Sequence, residues 1–181
     1  MKLPVFGVLV LLLSGFSAPA ISTVNIHQIF SVSGNFDWRL TGTQYALEEG
    51  HIYFLGTLFG TFLAGRSTGG PWSDGVFTCP NWQDGPGATG YCIFSDADDD
   101  QIFMSWQCGN DTDALDLPPA IVSCAGAADI YAGTGKFHGI QGQATLVSQT
   151  TAAHPDGTWS GYVRFDANYR MPAASPGLDS G

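Results

Sequence analysis

"YCIFSDADDDQIFMSWQC", Tyr91 to Cys108, joins two apolar alternations through a run of aspartates. Cys92 and Phe94 share one parity before the run, as do Ile102, Met104, Trp106 and Cys108 after it. A period of two marks half-buried strands, so the stretch reads as a β-hairpin. Asp96, Asp98, Asp99 and Asp100 between the strands pose a choice between a hairpin tip and a cation site. As a calcium loop the run starts well, with Asp96, Asp98 and Asp100 at the first, third and fifth positions. Gln101 then stands where the sharp turn needs glycine, and Gln107 where a bidentate glutamate should close the shell. Aspartate tolerates the left-handed backbone of a tight turn and bonds its own backbone. A plain turn is therefore expected and no metal, with weak Ca²⁺ binding at Asp96, Asp98 and Asp100 as the alternative.

A turn centred on Asp98 sets Phe94 opposite Ile102 and Cys92 opposite Met104. Cys108 then lies roughly 13 Å along the neighbouring strand from the partner of Cys92. A disulfide spans Cα separations only up to roughly 7 Å, which excludes Cys92–Cys108. Pairing Cys79 with Cys108 would have to cross the strand that carries Cys92, roughly 10 Å in a meander. The remaining connectivity is Cys79–Cys92 with Cys108–Cys124. Widely spaced cysteines without Cys-x-x-Cys pairs do not suit zinc.

The alternation continues outward from the hairpin. In "TWSGYVRFDANYR" Trp159, Val163, Phe165 and Tyr169 oppose Ser160, Arg164, Asp166, Asn168 and Arg170; in "NFDWRLTG" Phe36, Trp38 and Leu40 oppose Asp37, Arg39 and Thr41. Shorter runs appear at "GVFTC", "AIVSC" and "GQATLVSQT". Turn residues separate them at Glu49-Gly50, at Asp84-Gly85-Pro86-Gly87 and at Pro155-Asp156-Gly157. With 24 glycines and no helical period, the chain reads as one all-β domain of about eight strands that must hide their edges in a closed barrel or a sandwich. "HIYFLGTLFGTFLAG" is apolar on both parities, with Tyr53, Leu55, Phe59 and Leu63 against Ile52, Phe54, Leu58 and Phe62. Something is expected to cover its outer face, either a segment of the same chain or another subunit.

The ends bound the setting. "MKLPVFGVLVLLLSGFSAPA" places Lys2 before an apolar run from Val5 to Leu13 and ends on Ala18-Pro19-Ala20, the layout of a secretory signal peptide. The run is too short for a membrane span. The expected organisation is a signal peptide over 1–20, a barrel over 21–170 and a flexible tail over 171–181. Export to the periplasm or the extracellular space suits disulfides. A net charge of −10 argues against nucleic acid or an anionic membrane surface as partner.

"AGTGKFHGIQG" is not a phosphate loop, because Ile130 and Phe137 stand where the fingerprint needs glycine and a hydroxyl. Gly133, Gly135, Gly139 and Gly142 read as a tight strand connection. No Gly-x-Ser-x-Gly elbow occurs, and the four histidines lack metal-ligand spacing. Asn110-Asp111-Thr112 is a glycosylation sequon, and Asp111, Asp113 and Asp116 form an acidic loop.

At "GYCIFSDADDDQIFMSWQC" and "AGTGKFHGIQGQATL" the chain resembles small exported bacterial proteins of unassigned function. Their pattern is a Tyr-Cys strand, an Asp-Ala-Asp-Gly-Asp turn, an Ile-Phe-x-x-Trp strand and Gly-Thr-Gly-Lys-Phe/Tyr-x-Gly-Ile-x-Gly. The glycine-rich part is similar to the allene oxide cyclase and dirigent barrels. The resemblance covers about residues 75–147, and Asp99 departs from the turn glycine. It implies an eight-stranded antiparallel barrel with a central cavity, often trimeric. It carries no activity, since fold and function separate freely.

Two functions follow as expectations. The first is a non-enzymatic exported barrel that binds an apolar or aromatic small molecule, lined by Phe36, Trp38, Trp106, Trp159 and Phe165, or that serves a structural role. The alternative is a cyclase- or isomerase-like enzyme that uses Glu48, Glu49, His51 or Tyr53 as acid or base. Neither requires a cofactor.

Overall fold

Every consecutive pair of strands in the computed structural model is antiparallel, and the last strand pairs back with the first. The structure describes residues 27–48, 50–85, 87–109 and 122–173. The expected signal peptide, Glu49, the sequon with its acidic loop, and residues 174–181 of the expected tail lie outside the described residues.

The described strands are β1 (His27–Glu48), β2 (His51–Ser67), β3 (Gly75–Asp84), β4 (Gly87–Ser95), β5 (Gln101–Gly109), β6 (Val122–Gly133), β7 (Gln141–Ala153) and β8 (Trp159–Pro172). They close as a barrel in chain order, and a single 3₁₀ turn, Gly135–Phe137, joins β6 to β7. Closure hides the sheet edges along the body of the barrel. The barrel continues two residues past its expected end at 170, because Met171 is buried and pairs with Gln28 of β1.

The central hairpin has the expected register, with Phe94 opposite Ile102 and Cys92 opposite Met104. Both disulfides follow from it. Cys79–Cys92 joins β3 to β4 with Cα atoms 4.1 Å apart, and Cys108–Cys124 joins β5 to β6 with Cα atoms 5.6 Å apart.

An antiparallel meander sends alternate connections to opposite ends. The β2–β3, β4–β5 and β6–β7 connections share one end, and that end is filled. Trp72, from the β2–β3 connection, packs on Phe94, Phe165 and Tyr169 with ring centroids 5.4–5.7 Å apart. Phe62 meets Phe77, Phe94 and Phe165 edge-on, and Phe137 from the 3₁₀ turn closes the stack against Phe94. Edge-to-face contacts of this kind add roughly 0.5–1.5 kcal/mol per pair to the burial itself.

Strand β2 turns its even residues inward, and Phe62 is fully buried opposite Phe36. Its outward Leu55, Phe59 and Leu63 remain 42–53% exposed, so no described segment covers that face. The outward positions of β3, β4 and β5 continue it with Val76, Thr78, Pro80 and Trp82, then Thr89, Tyr91 and Ile93, then Phe103, Ser105 and Gln107. None of these is charged; Asp84, at the end of β3 on the same face, is. Charge gathers instead on β1 and β8, at Asp37, Arg39, Arg164, Asp166 and Arg170. These charges interrupt the apolar belt that a membrane-spanning barrel carries all round. No helix among the described residues is long and apolar enough to cross a membrane.

Candidate functional site

Two places in the barrel gather chemistry. The first is the aspartate turn at the filled end. Asp96 has its carboxylate almost wholly buried, and its Oδ1 accepts the backbone N–H groups of Asp98 at 2.9 Å and Asp100 at 3.1 Å. Its Oδ2 lies 2.6 Å from the Lys136 ammonium, which also donates to Asp98 Oδ2 at 2.8 Å. Asp100 accepts the backbone N–H of Lys136 at 3.1 Å, in the first turn of the 3₁₀ segment. Gly135 must be glycine here, because it has φ +49° and a Cβ on it would lie 1.6 Å from Asp100 Oδ1. The backbones are also stitched, with Thr134 N–H donating to Gln101 O and Gln101 N–H donating to Thr134 Oγ1.

The turn therefore holds a cation from its own chain. Burial alone would raise the Asp96 pKa; the Lys136 ammonium and the two backbone N–H groups outweigh it and hold the carboxyl below its ordinary value. The Asp96 and Asp98 carboxylates in turn hold Lys136 well above the ordinary lysine range. Among the described residues no three carboxylate, imidazole or thiol groups are placed to share a metal ion. Asp99 takes the left-handed backbone at φ 62°, where the resembled pattern has glycine.

The second place is the other half of the lumen. Where the filled end has aromatic rings, this half has a cavity of about 140 Å³. Phe36, Trp38, Trp106 and Phe165, four of the residues expected to face a ligand, lie in its wall with both disulfides. Trp159 does not. Its parity is right, but it opens β8 opposite Leu40 and packs half-buried at the margin of the core. The space arises from size alternation around the two indoles. Trp38 lies between Gly60 and Gly161 in register, and Trp106 between Gly90 and Ala128. At Gly161 any side chain is excluded, since a Cβ would lie 2.5 Å from the Trp38 ring and 1.9 Å from Gln149 O.

The cavity wall is apolar except for Asn81, Gln83, Ser148 and Thr150 together with the indole nitrogens, and no described lining residue is ionisable. Asn81 spends its amide on Cys79 O at 3.1 Å. The Nε1 atoms of Trp38 and Trp106 are buried without a hydrogen-bond partner.

The residues expected to act as acid or base stand elsewhere. Beyond Leu40 β1 has no partner on β8, and Tyr53 is the β2 residue nearest the hairpin tip that still pairs with β3. Glu48 and His51 face each other at that tip, and Tyr53 packs on Tyr45. His51 Nε2 lies 2.6 Å from Asp84 Oδ1, and Nδ1 lies 3.6 Å from Glu48 Oε1. The Asp84 hydrogen bond raises the His51 pKa above 6.5. None of the three lines the cavity.

Sequence reasoning missed Lys136, Trp72 and Phe137. Lys136 was visible only as part of a failed phosphate loop, and Trp72 sits in "GGPWSD", which has no periodicity to mark it as core.

No family model matches the chain, and no curated protein matches it in sequence. Among solved structures it is similar to the pterocarpan synthase dirigent protein GePTS1, at 10% identity and a TM-score of 0.47, over 87% of this chain and 99% of that one.

Proposed function

We propose that the protein is exported and holds a small uncharged molecule in the open half of its barrel without converting it. The cavity carries this reading. Its volume of about 140 Å³ is close to the roughly 150 Å³ of a dry apolar cavity that accepts benzene. A barrel of eight strands leaves room inside for one small ligand at most. Proton transfer needs an acid or base within hydrogen-bond reach of the reacting atoms. The described wall offers none, and Glu48, His51 and Tyr53 are not part of it. A binder is therefore favoured over a cyclase or isomerase.

Titration calorimetry with single-ring probes tests this. Benzene-sized neutral compounds are expected to bind, and Ala128→Ile, which fills the cavity wall, is expected to abolish the heat. A folded protein that takes up no such compound overturns the reading.

Export is supported by the leader-like first twenty residues and by the two disulfides, which persist in oxidising compartments. The intact mass of protein from its own host should place the mature start at Ile21. The outer face of β2–β5, apolar apart from neutral polar residues and Asp84 at one end of β3, favours packing against a second copy of the chain, as a trimer by resemblance. Native mass spectrometry should show an oligomer that Phe59→Asp reduces to monomer.

A further inference from the structure

We infer that the cavity selects a neutral ring compound carrying a hydrogen-bond acceptor, such as a carbonyl or ether oxygen, and discriminates against both hydrocarbons and carboxylates. This rests on the reading of the cavity as a binding site and adds the chemistry of the occupant.

The starting observation is an imbalance. Trp38 is on β1 and Trp106 on β5, which are diametrically opposed in a ring of eight strands. Both line the cavity, and each has a buried Nε1–H without a partner. An indole nitrogen is a donor only, so no rearrangement of one ring can satisfy the other. A buried donor left unpaired has lost its water and gained nothing in return, which is why buried indoles ordinarily find an acceptor. The remaining polar groups of the wall do not supply one: neither indole is bonded to Asn81, Gln83, Ser148 or Thr150.

The missing partner fits a ligand better than a water. A buried water ordinarily needs two to four polar partners. The donors here stand on opposite walls of a mostly apolar space that has the size of one ring. A ring bearing an acceptor fills that space and pairs with at least one donor. A hydrocarbon fills it and leaves both donors unsatisfied. A carboxylate would lose its hydration with no cation in the described wall to replace it. Trp72 is a control within the same chain. Its Nε1 is also unpaired, but it sits in the filled end among Phe62, Phe94 and Phe165 and is not itself a wall residue.

The test compares acetophenone, its near-isostere isopropylbenzene, and benzoate by titration calorimetry. Indole N–H resonances of ¹⁵N-tryptophan-labelled protein are followed in parallel. Acetophenone is expected to bind roughly tenfold more tightly than isopropylbenzene, the contribution of one neutral hydrogen bond. Benzoate is expected not to bind. The Trp38 or Trp106 indole proton should move downfield with acetophenone while Trp72 stays in place. Trp→Phe at the responding position should bring the two neutral ligands to equal affinity. Equal affinity in the wild type, or no indole response, overturns the inference while leaving the binding cavity intact. Failure of both neutral compounds to bind removes the cavity reading itself.

Discussion

Replacing Asp96 with alanine tests how the aspartate turn is held. The substitution removes the acceptor of the Asp98 and Asp100 N–H groups, at 2.9 and 3.1 Å, and one of the two carboxylates that hold Lys136. Hydrogen bonds to a charged acceptor contribute about 1.5–3 kcal/mol each, and neighbouring bonds do not add fully. The Lys136 contact contributes little beyond that, since its side chain is 35% exposed. Part of the loss returns as the freed N–H groups meet water at an exposed turn. The expected net cost is about 2–4 kcal/mol, a fall of about 5–15 °C in melting temperature for a domain of this size. Urea unfolding followed by tryptophan fluorescence, without reductant, measures it. Asp98→Asn is the comparison, because it removes only an exposed ion pair and should cost less than about 1 kcal/mol.

The pH dependence has a fixed sign. The folded pKa of Asp96 lies below its ordinary 3.8, so its contribution is present above pH 3.8 and disappears as pH falls through the folded value. Wild type and Asp96→Ala should therefore differ steadily from pH 5 to 8 and converge in stronger acid. Excess Ca²⁺ should leave the wild-type melting temperature unchanged, because the Lys136 ammonium is already at the carboxylates. A variant within about 0.5 kcal/mol of wild type at pH 7, or a rise in melting temperature with Ca²⁺, would refute this account.

Three further outcomes are expected. Removing either disulfide by paired Cys→Ser substitution should cost about 3 kcal/mol in urea unfolding, since the bridges close loops of 13 and 16 residues' separation. Gly161→Ala should destabilise by more than about 2 kcal/mol, and an unchanged melting temperature would contradict the close approach of Gln149 O. His51 should titrate above 6.5 by NMR and return toward that value in Asp84→Asn. Its link to Asp84 should be fully present below pH 6.5 and fade as pH rises through the elevated folded value, read as a wild-type advantage over Asp84→Asn that shrinks in alkali.

Much of the barrel was legible in the chain. The hairpin around Asp98 could be registered residue by residue, because a strand's period and a turn's backbone depend on near neighbours. The disulfide pairing followed, since both bridges join strands adjacent in sequence. The inward parity of Phe36, Trp38, Trp106 and Phe165 was equally local. Which inward residues border the cavity was not local, and Trp159, of the same parity, is not among its wall residues. In β2 even parity was ambiguous, because both faces are apolar; pairing Phe62 with Phe36 decided which one went inside.

Sequence by itself determined the strands, the order of the turns and which cysteines could meet. Tertiary structure alone decided that the aspartates meet Lys136, that Trp72 and Phe137 stopper one end, and that the indoles of Trp38 and Trp106 face a void at the other. The physical reason is range. Contacts within a hairpin are set by a few residues of chain, whereas the β4–β5 and β6–β7 connections become neighbours only once β5 pairs with β6, and Trp72 meets Phe165 and Tyr169 only in a ring that β8 closes against β1.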